Sequence, residues 1–128
     1  MHRNAHQQVA AAAHGCAQPA TLATHDDRDG TPQVRLATNE GGAWVTEAVI
    51  DDGGGAVVPT SPSLEIGTDG LARIAYTDGV ADDLYLAMEG DPWTVEVLVA
   101  TEDDCFRPAL ELGPGDEPFI VYFRRQPL

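Results

Sequence analysis

Apolar residues recur along this chain in short runs, and inside the runs the period is two rather than 3.6. Trp93-Thr94-Val95-Glu96-Val97-Leu98-Val99 alternates, with β-branched residues on one face, the pattern of a half-buried strand. Trp44 to Ile50 repeats it less cleanly. Phe119-Ile120-Val121-Tyr122-Phe123 and Leu71-Ala72-Arg73-Ile74-Ala75-Tyr76 are largely apolar on both faces, which suits strands packed between neighbouring sheets. Turn signals separate the runs: Asp69-Gly70, Asp78-Gly79, Asn39-Glu40-Gly41-Gly42, Asp51-Asp52-Gly53-Gly54-Gly55 and Gly113-Pro114-Gly115-Asp116. No long stretch keeps an i, i+3, i+4, i+7 apolar pattern with helix caps. Gln8 to His14 has the alanine content of a helical turn. The chain reads as all-β.

Two segments match each other at a fixed offset. Pro62, Leu64, Glu65, Gly67, Ile74 and Tyr76 recur 46 residues later as Pro108, Leu110, Glu111, Gly113, Ile120 and Tyr122. A second match precedes it, Leu36-Ala37 to Val49 against Leu86-Ala87 to Leu98, with Trp44 and Trp93 49 residues apart. A period of 46–49 residues lies in the range of propeller blades and exceeds most leucine-rich or ankyrin units. The expected unit has four antiparallel strands. A full blade spans 62–100, with strands near Ser63–Ile66, Leu71–Thr77, Leu84–Met88 and Trp93–Ala100. Half a blade follows at 108–124, and third and fourth strands of an earlier unit lie at 33–50. Residues 1–29 form a degenerate first half-blade or a ragged start, with Val9–Ala13 and Ala20–Asp26 as eroded strands, and residues 30–128 carry the repeats.

Composition narrows the partners. The 128 residues hold 21 acidic and 7 basic side chains, for a net charge of -14, and the basic residues are all Arg. Nucleic acid and anionic membrane both need clustered cations, so neither is expected as a partner. No apolar run approaches the ~20 residues of a transmembrane helix. Ser61 and Ser63 sit outside any Gly-x-Ser-x-Gly elbow. Cys16 and Cys105 make no Cys-x-x-Cys pair, and a bridge between them would need an oxidising compartment. Ala13-His14-Gly15-Cys16 loosely matches a lipoprotein cleavage site, but the apolar stretch before it is too short for a signal peptide. No export signal is visible.

The hairpin Ala37-Thr38-Asn39-Glu40-Gly41-Gly42-Ala43-Trp44 resembles the Asp-box (BNR) motif of sialidase-like bacterial β-propellers, Ser-x-Asp-x-Gly-x-Thr-Trp. Gly41 and Trp44 fit; Asn39 replaces the Asp, Ala37 the Ser and Ala43 the Thr. The second copy, Ala87 to Trp93, is one residue short and keeps the Trp. The resemblance covers residues 30–124 and implies an all-β, antiparallel, four-stranded propeller-blade architecture, open or closed by oligomerisation; it would allow a secreted protein. In that family the motif is structural. Glycine supplies the positive φ of the turn, a short acid or amide accepts backbone N–H bonds, and the Trp packs between blades. Asn39, Gly41, Trp44, Trp93, Asp69 and Gly70 are therefore read as structural.

Candidate chemistry is sparse. A sialidase-like hydrolase needs an arginine cluster, a tyrosine nucleophile and an acid. Arg73 and Arg124 stand near Tyr76 and Tyr122, but Phe119 stands where the second repeat would need an Arg. These four residues are candidates for ligand binding rather than catalysis. Asp26-Asp27-Arg28-Asp29-Gly30, Asp82-Asp83 and Glu102-Asp103-Asp104 offer oxygen ligands without EF-hand spacing. His2, His6 and His14 make no zinc pattern of note. No metal or cofactor is expected.

About two units leave sheet faces unburied and edges open, because a propeller closes with roughly four to eight blades. The partners expected are the missing blades of a longer chain, or further copies of this one. The leading expectation is a non-enzymatic propeller module or fragment that binds or scaffolds. An oligomeric, glycan-binding lectin comes second, and a remnant glycoside hydrolase third.

Overall fold

The computed structural model describes residues 8–13, 20–26, 33–39, 42–50, 59–79, 83–100 and 104–125. All the long elements are strands: β1 (Gln8–Ala13), β2 (Ala20–Asp26), β3 (Gln33–Thr38), β4 (Val45–Ile50), β5 (Pro59–Ile66), β6 (Ala72–Asp78), β7 (Leu84–Met88), β8 (Thr94–Val99), β9 (Asp104–Leu112) and β10 (Pro118–Arg125). One 3-10 turn, Pro114–Asp116, joins the last two. Gln8–Ala13 is a strand, not a helical turn. Its alanines pair across to β2, with Ala10 opposite Ala23; tertiary pairing overrides local helix propensity.

The strands form three antiparallel sheets in sequence order: β1-β2-β3-β4, then β5-β6-β7-β8, then the pair β9-β10. The fold is all-β and antiparallel with four-stranded units. Among the described residues the sheets form neither a closed barrel nor a closed propeller. No helix among those residues is long and apolar enough to cross a membrane.

The offset of 46 seen in sequence recurs in the backbone. The turn after β5 closes with Gly67 N–H donating to Leu71 O (2.9 Å), and the turn after β9 with Gly113 N–H donating to Glu117 O (2.8 Å). Inside them, Gly70 N–H donates to Gly67 O, and Asp116 N–H to Gly113 O. Gly70 (φ 81) and Asp116 (φ 60) are both left-handed; aspartate is among the few non-glycine residues that visit that region readily. At the other end of the first strands, Ser61 (φ 54) and Arg107 (φ 50) also match. A bulge breaks the β5–β6 ladder between Thr60 and Ser63, and the β9–β10 ladder between Val121 and Phe123. The outer hairpins agree likewise: the ladder slips between Val34 and Arg35, and between Leu84 and Tyr85.

The core sits where the first two sheets meet. Ala23, Val34, Leu36, Leu64, Ala72, Ile74, Tyr76 and Ala87 form one buried cluster, with Val49, Ile66, Tyr85 and Trp93 at its margin. β1, β2 and β3 pack on β5, while β9 packs on β5 and β6. β6 is thereby covered on both faces, and every one of its residues from Ala72 to Asp78 is buried. That accounts for its run of apolar residues with no alternation. Leu110 N–H donates to Ser63 Oγ across the second and third sheets (3.0 Å).

Candidate functional site

Two constellations of polar side chains stand out, both at the turn end of the second sheet. The first is built on Arg73. β6 places this arginine next to the Asp69-Gly70 turn, and its guanidinium makes a two-pronged contact with Asp69: Nη1 to Oδ1 and Nη2 to Oδ2, each 2.9 Å. Nη1 also donates to Leu71 O (3.0 Å). Asp69 Oδ1 accepts the Leu71 N–H as well (3.0 Å). Bidentate pairing of this kind is the strong form of a carboxylate–arginine contact. It holds the Asp69 carboxyl well below the usual carboxylate range, the Arg73 hydrogen bond first and the Leu71 N–H second. The same pairing raises Arg73 further above its already high value.

Asp116 of the third sheet completes the group. Its carboxylate accepts Thr68 N–H (2.9 Å) and the Thr68 hydroxyl (3.0 Å), and stands 3.9 Å from Arg73 Nη2. The Thr68 backbone N–H is the main reason its carboxyl lies below the ordinary range. The cluster is a joint between sheets: the arginine is 8% exposed and both of its terminal nitrogens donate to acceptors already present.

The second constellation is an open groove of about 730 Å³ lined by Glu47, Val49, Leu71, Glu89, Gly90, Asp91, Pro92 and Trp93. It lies between the outer hairpins of the first two sheets. The β7–β8 turn, with a cis Asp91–Pro92 bond, supplies most of it. Glu89 is fixed by the Ala72 N–H, which donates to Oε1 (2.8 Å). Trp93 rests one part against the core and lines the groove with the rest. Among the described residues no arginine lines it. Among the described residues no three His, Cys, Asp or Glu side chains gather into a metal-holding group.

The residues singled out from sequence scatter. Tyr76 is buried and stacks on Tyr85 with ring centroids 5.1 Å apart and planes 8° apart. Burial, with the neighbouring Tyr85 and Asp78, pushes its phenol above the ordinary tyrosine range. Tyr122 is half-buried on β10, and Arg124 is exposed at its far end. Arg73 belongs to the joint just described. The structure does not bring these four together. Trp44, just before the outer strand β4, is 52% exposed rather than packed between sheets. Trp93 does pack on the core. Gly70 has the positive φ its turn requires. In the Asn39 turn the left-handed glycine is Gly42 (φ 86), whose N–H donates to Asn39 O (2.9 Å). Gly41, Cys16, the three histidines at 2, 6 and 14, residues 27–30, Asp82, Glu102 and Asp103 lie outside the described residues. Cys105 is buried. The groove was missed from sequence because its lining comes from three separate segments. The signal for it was Glu89 to Trp93, read only as a damaged structural turn.

No family model matches the chain, and no solved structure matches it. Curated relatives do. It is similar to 3-deoxy-manno-octulosonate cytidylyltransferase from two strains of Aliivibrio fischeri, 29% identical over 120 residues, covering 75% of this chain and 47% of the relative. The protein of that name from Chlorobaculum parvum is 35% identical over 80 residues, covering 62% of this chain and 31% of the relative. The chain spans about half the length, or less, of the curated relatives it matches. These relatives are enzymes that transfer a cytidylyl group. That finding overturns the expectation of a non-enzymatic propeller module. The lectin and the sialidase-like reading fall with it. Missing glycosidase residues exclude one kind of catalysis and leave the others open.

Proposed function

We propose that the chain is part of a nucleotidyltransferase, and that the groove beside Trp93 holds the nucleoside end of its nucleotide. The observation that carries the reading is the alignment with the cytidylyltransferases over most of this chain. The groove's chemistry supports it. An indole face offers a stacking surface for a base. Carboxylates are the acceptors that suit the exocyclic amino group of cytosine, and Glu47 and Asp91 are the two lining carboxylates without the fixed backbone contact of Glu89. The same negative charge opposes a triphosphate, so the phosphates point out of the groove, toward solvent or other parts of the protein. Separately, we infer that the sheets are successive copies of one blade-like unit, from the matched turns and bulges 46 residues apart in the second and third sheets and from the matched ladder slips in the outer hairpins of the first and second.

The direct test is titration of the full chain with cytidine, followed by tryptophan emission in a Trp44→Phe background so that Trp93 alone reports. Saturable quenching is expected, weakened at least about tenfold in Glu47→Gln, the scale of one good polar contact; Trp93→Ala, made with Trp44 intact and read by calorimetry, is expected to lose cytidine binding. Pyrophosphate release from CTP in the presence of 3-deoxy-manno-octulosonate then tests the transfer itself. No emission change with cytidine and no pyrophosphate release would together overturn the proposal.

A further inference from the structure

Hydrogen-bond supply in the groove beside Trp93 is one-sided. Its charged side chains are Glu47, Glu89 and Asp91, and an ionised carboxylate accepts without donating. Among the lining residues the side-chain donor is the Trp93 indole N–H. That group points along the ring plane, out of reach of a base stacked on the ring's face. Two backbone donors of the lining are committed elsewhere: Leu71 N–H to Asp69 Oδ1 (3.0 Å) and Glu89 N–H to Ala72 O (2.9 Å). Glu89 Oε1 takes the Ala72 N–H in return (2.8 Å), which fixes this half-buried carboxylate in the groove wall.

Neutral cytosine does not match such a lining. Beside its exocyclic amino group, which donates, stands N3, which accepts through a lone pair. A carboxylate that takes the amino N–H turns its second oxygen toward that lone pair, and the two repel. A proton on N3 reverses this. The edge then offers two parallel N–H donors, the fork that a carboxylate binds most strongly, and the base carries a positive charge. The surroundings favour that charge. Glu47 lines the groove from β4, and Glu89 and Asp91 from the β7–β8 turn. Arg73, which donates to the Leu71 carbonyl, has its own charge paired with Asp69. The chain as a whole stands at -14. Opposite charge close by stabilises the protonated form of a base, and an indole face attracts a cationic ring.

We propose, resting on the nucleoside reading of this groove, that it takes cytosine in the N3-protonated form, with the carboxylate of Glu47 or Asp91 accepting N3–H and the amino N–H together. Binding and protonation are then one event: the N3 lone pair takes a proton from solvent, one N–H bond forms, and nothing is released. N3 holds its proton to higher pH in the groove than in water. Affinity therefore rises as pH falls toward the carboxylate range and is lost as pH rises through the value for the bound base. Uracil has a carbonyl in place of the amino group and no basic ring nitrogen, so it shows no such gain. The groove is in this sense a selector of base charge as well as of base shape.

Cytidine isotopically labelled at N3 and titrated with the full chain reads the proton directly by nitrogen NMR, because protonation moves that resonance far upfield. The bound base is expected at the protonated position at a pH where free cytidine is neutral. Calorimetry in two buffers of different ionisation enthalpy should count net proton uptake on binding. Affinity for cytidine should rise with falling pH, approaching about tenfold per unit, the limit for one linked proton, while uridine stays flat. The double variant Glu47→Gln, Asp91→Asn should lose the uptake; the resonance of the base on the wild-type chain gives a reading that does not depend on that variant folding. Uptake with no shift at N3 puts the proton on the protein and overturns the inference, as does uptake that the double variant retains. Binding with neither uptake nor shift overturns it too, and leaves the nucleoside site standing. Cytidine that fails to bind at any pH removes the site itself and this inference with it.

Discussion

Gly67 shows how much a single position can depend on its neighbour. A methyl group there would collide with the Arg73 guanidinium and with Asp69 Oδ1, the two partners of the fork. Gly67→Ala should therefore push the arginine off its carboxylate and cost about 1–3 kcal/mol, the range for overpacking a tight site; urea denaturation measures it. The fork also sets an acid response. Asp69 and Asp116 both have carboxyls depressed in the folded chain. Below the ordinary carboxylate pKa of roughly 4, the unfolded chain takes up protons that the folded chain does not. Stability from these groups is thus present above that pH and is lost as pH falls through the depressed range. Asp69→Asn should flatten the fall in melting temperature between about pH 4 and pH 2 relative to the wild-type chain. The effect is moderated because Asp69 is partly solvated.

Among the elements, β6 carries the most weight. It is buried along its whole length, and Ile74 at its centre is fully inaccessible. Ile74→Ala should cost about 2–5 kcal/mol, whereas Val97→Ala on the exposed face of β8 should stay within roughly 0.5 kcal/mol; parallel denaturation curves separate the two. The strands are legible in the sequence where alternation is unbroken, as in β8, or where a short apolar run stands between turn signals, as in β7. β5 and β9 begin four residues before the expected starts, at Pro59 and Asp104. The bulges at Ser61 and Arg107 explain this, since one extra residue flips the alternation and makes a strand read as a loop. The Asp69–Arg73 fork was illegible for a related reason: its partners are separated by a turn, and Asp69 was taken as a turn residue alone. The groove needs Glu47, Leu71 and Trp93 at once, and no local pattern joins them.

Across the whole molecule, the excess of negative charge should make stability rise with salt. Melting temperature is expected to increase from about 10 mM to 1 M sodium chloride, because self-repulsion is screened over a Debye length that shrinks from about 30 to 3 Å. A decrease would mean that the Arg73 joint outweighs the repulsion. The joint itself has a counterpart. Where Arg73 lies over Gly67, Phe119 lies over Gly113, and a methyl there would strike the phenyl ring. The backbone turn is the same and the glycine is the same; one covering side chain is cationic and the other aromatic. Each turn thus works as a shallow socket that accepts any long, flat plug. A chain built on such sockets can trade a charged joint for an oily one by a single substitution. It can thereby redirect what a given sheet face adheres to without redrawing its strands.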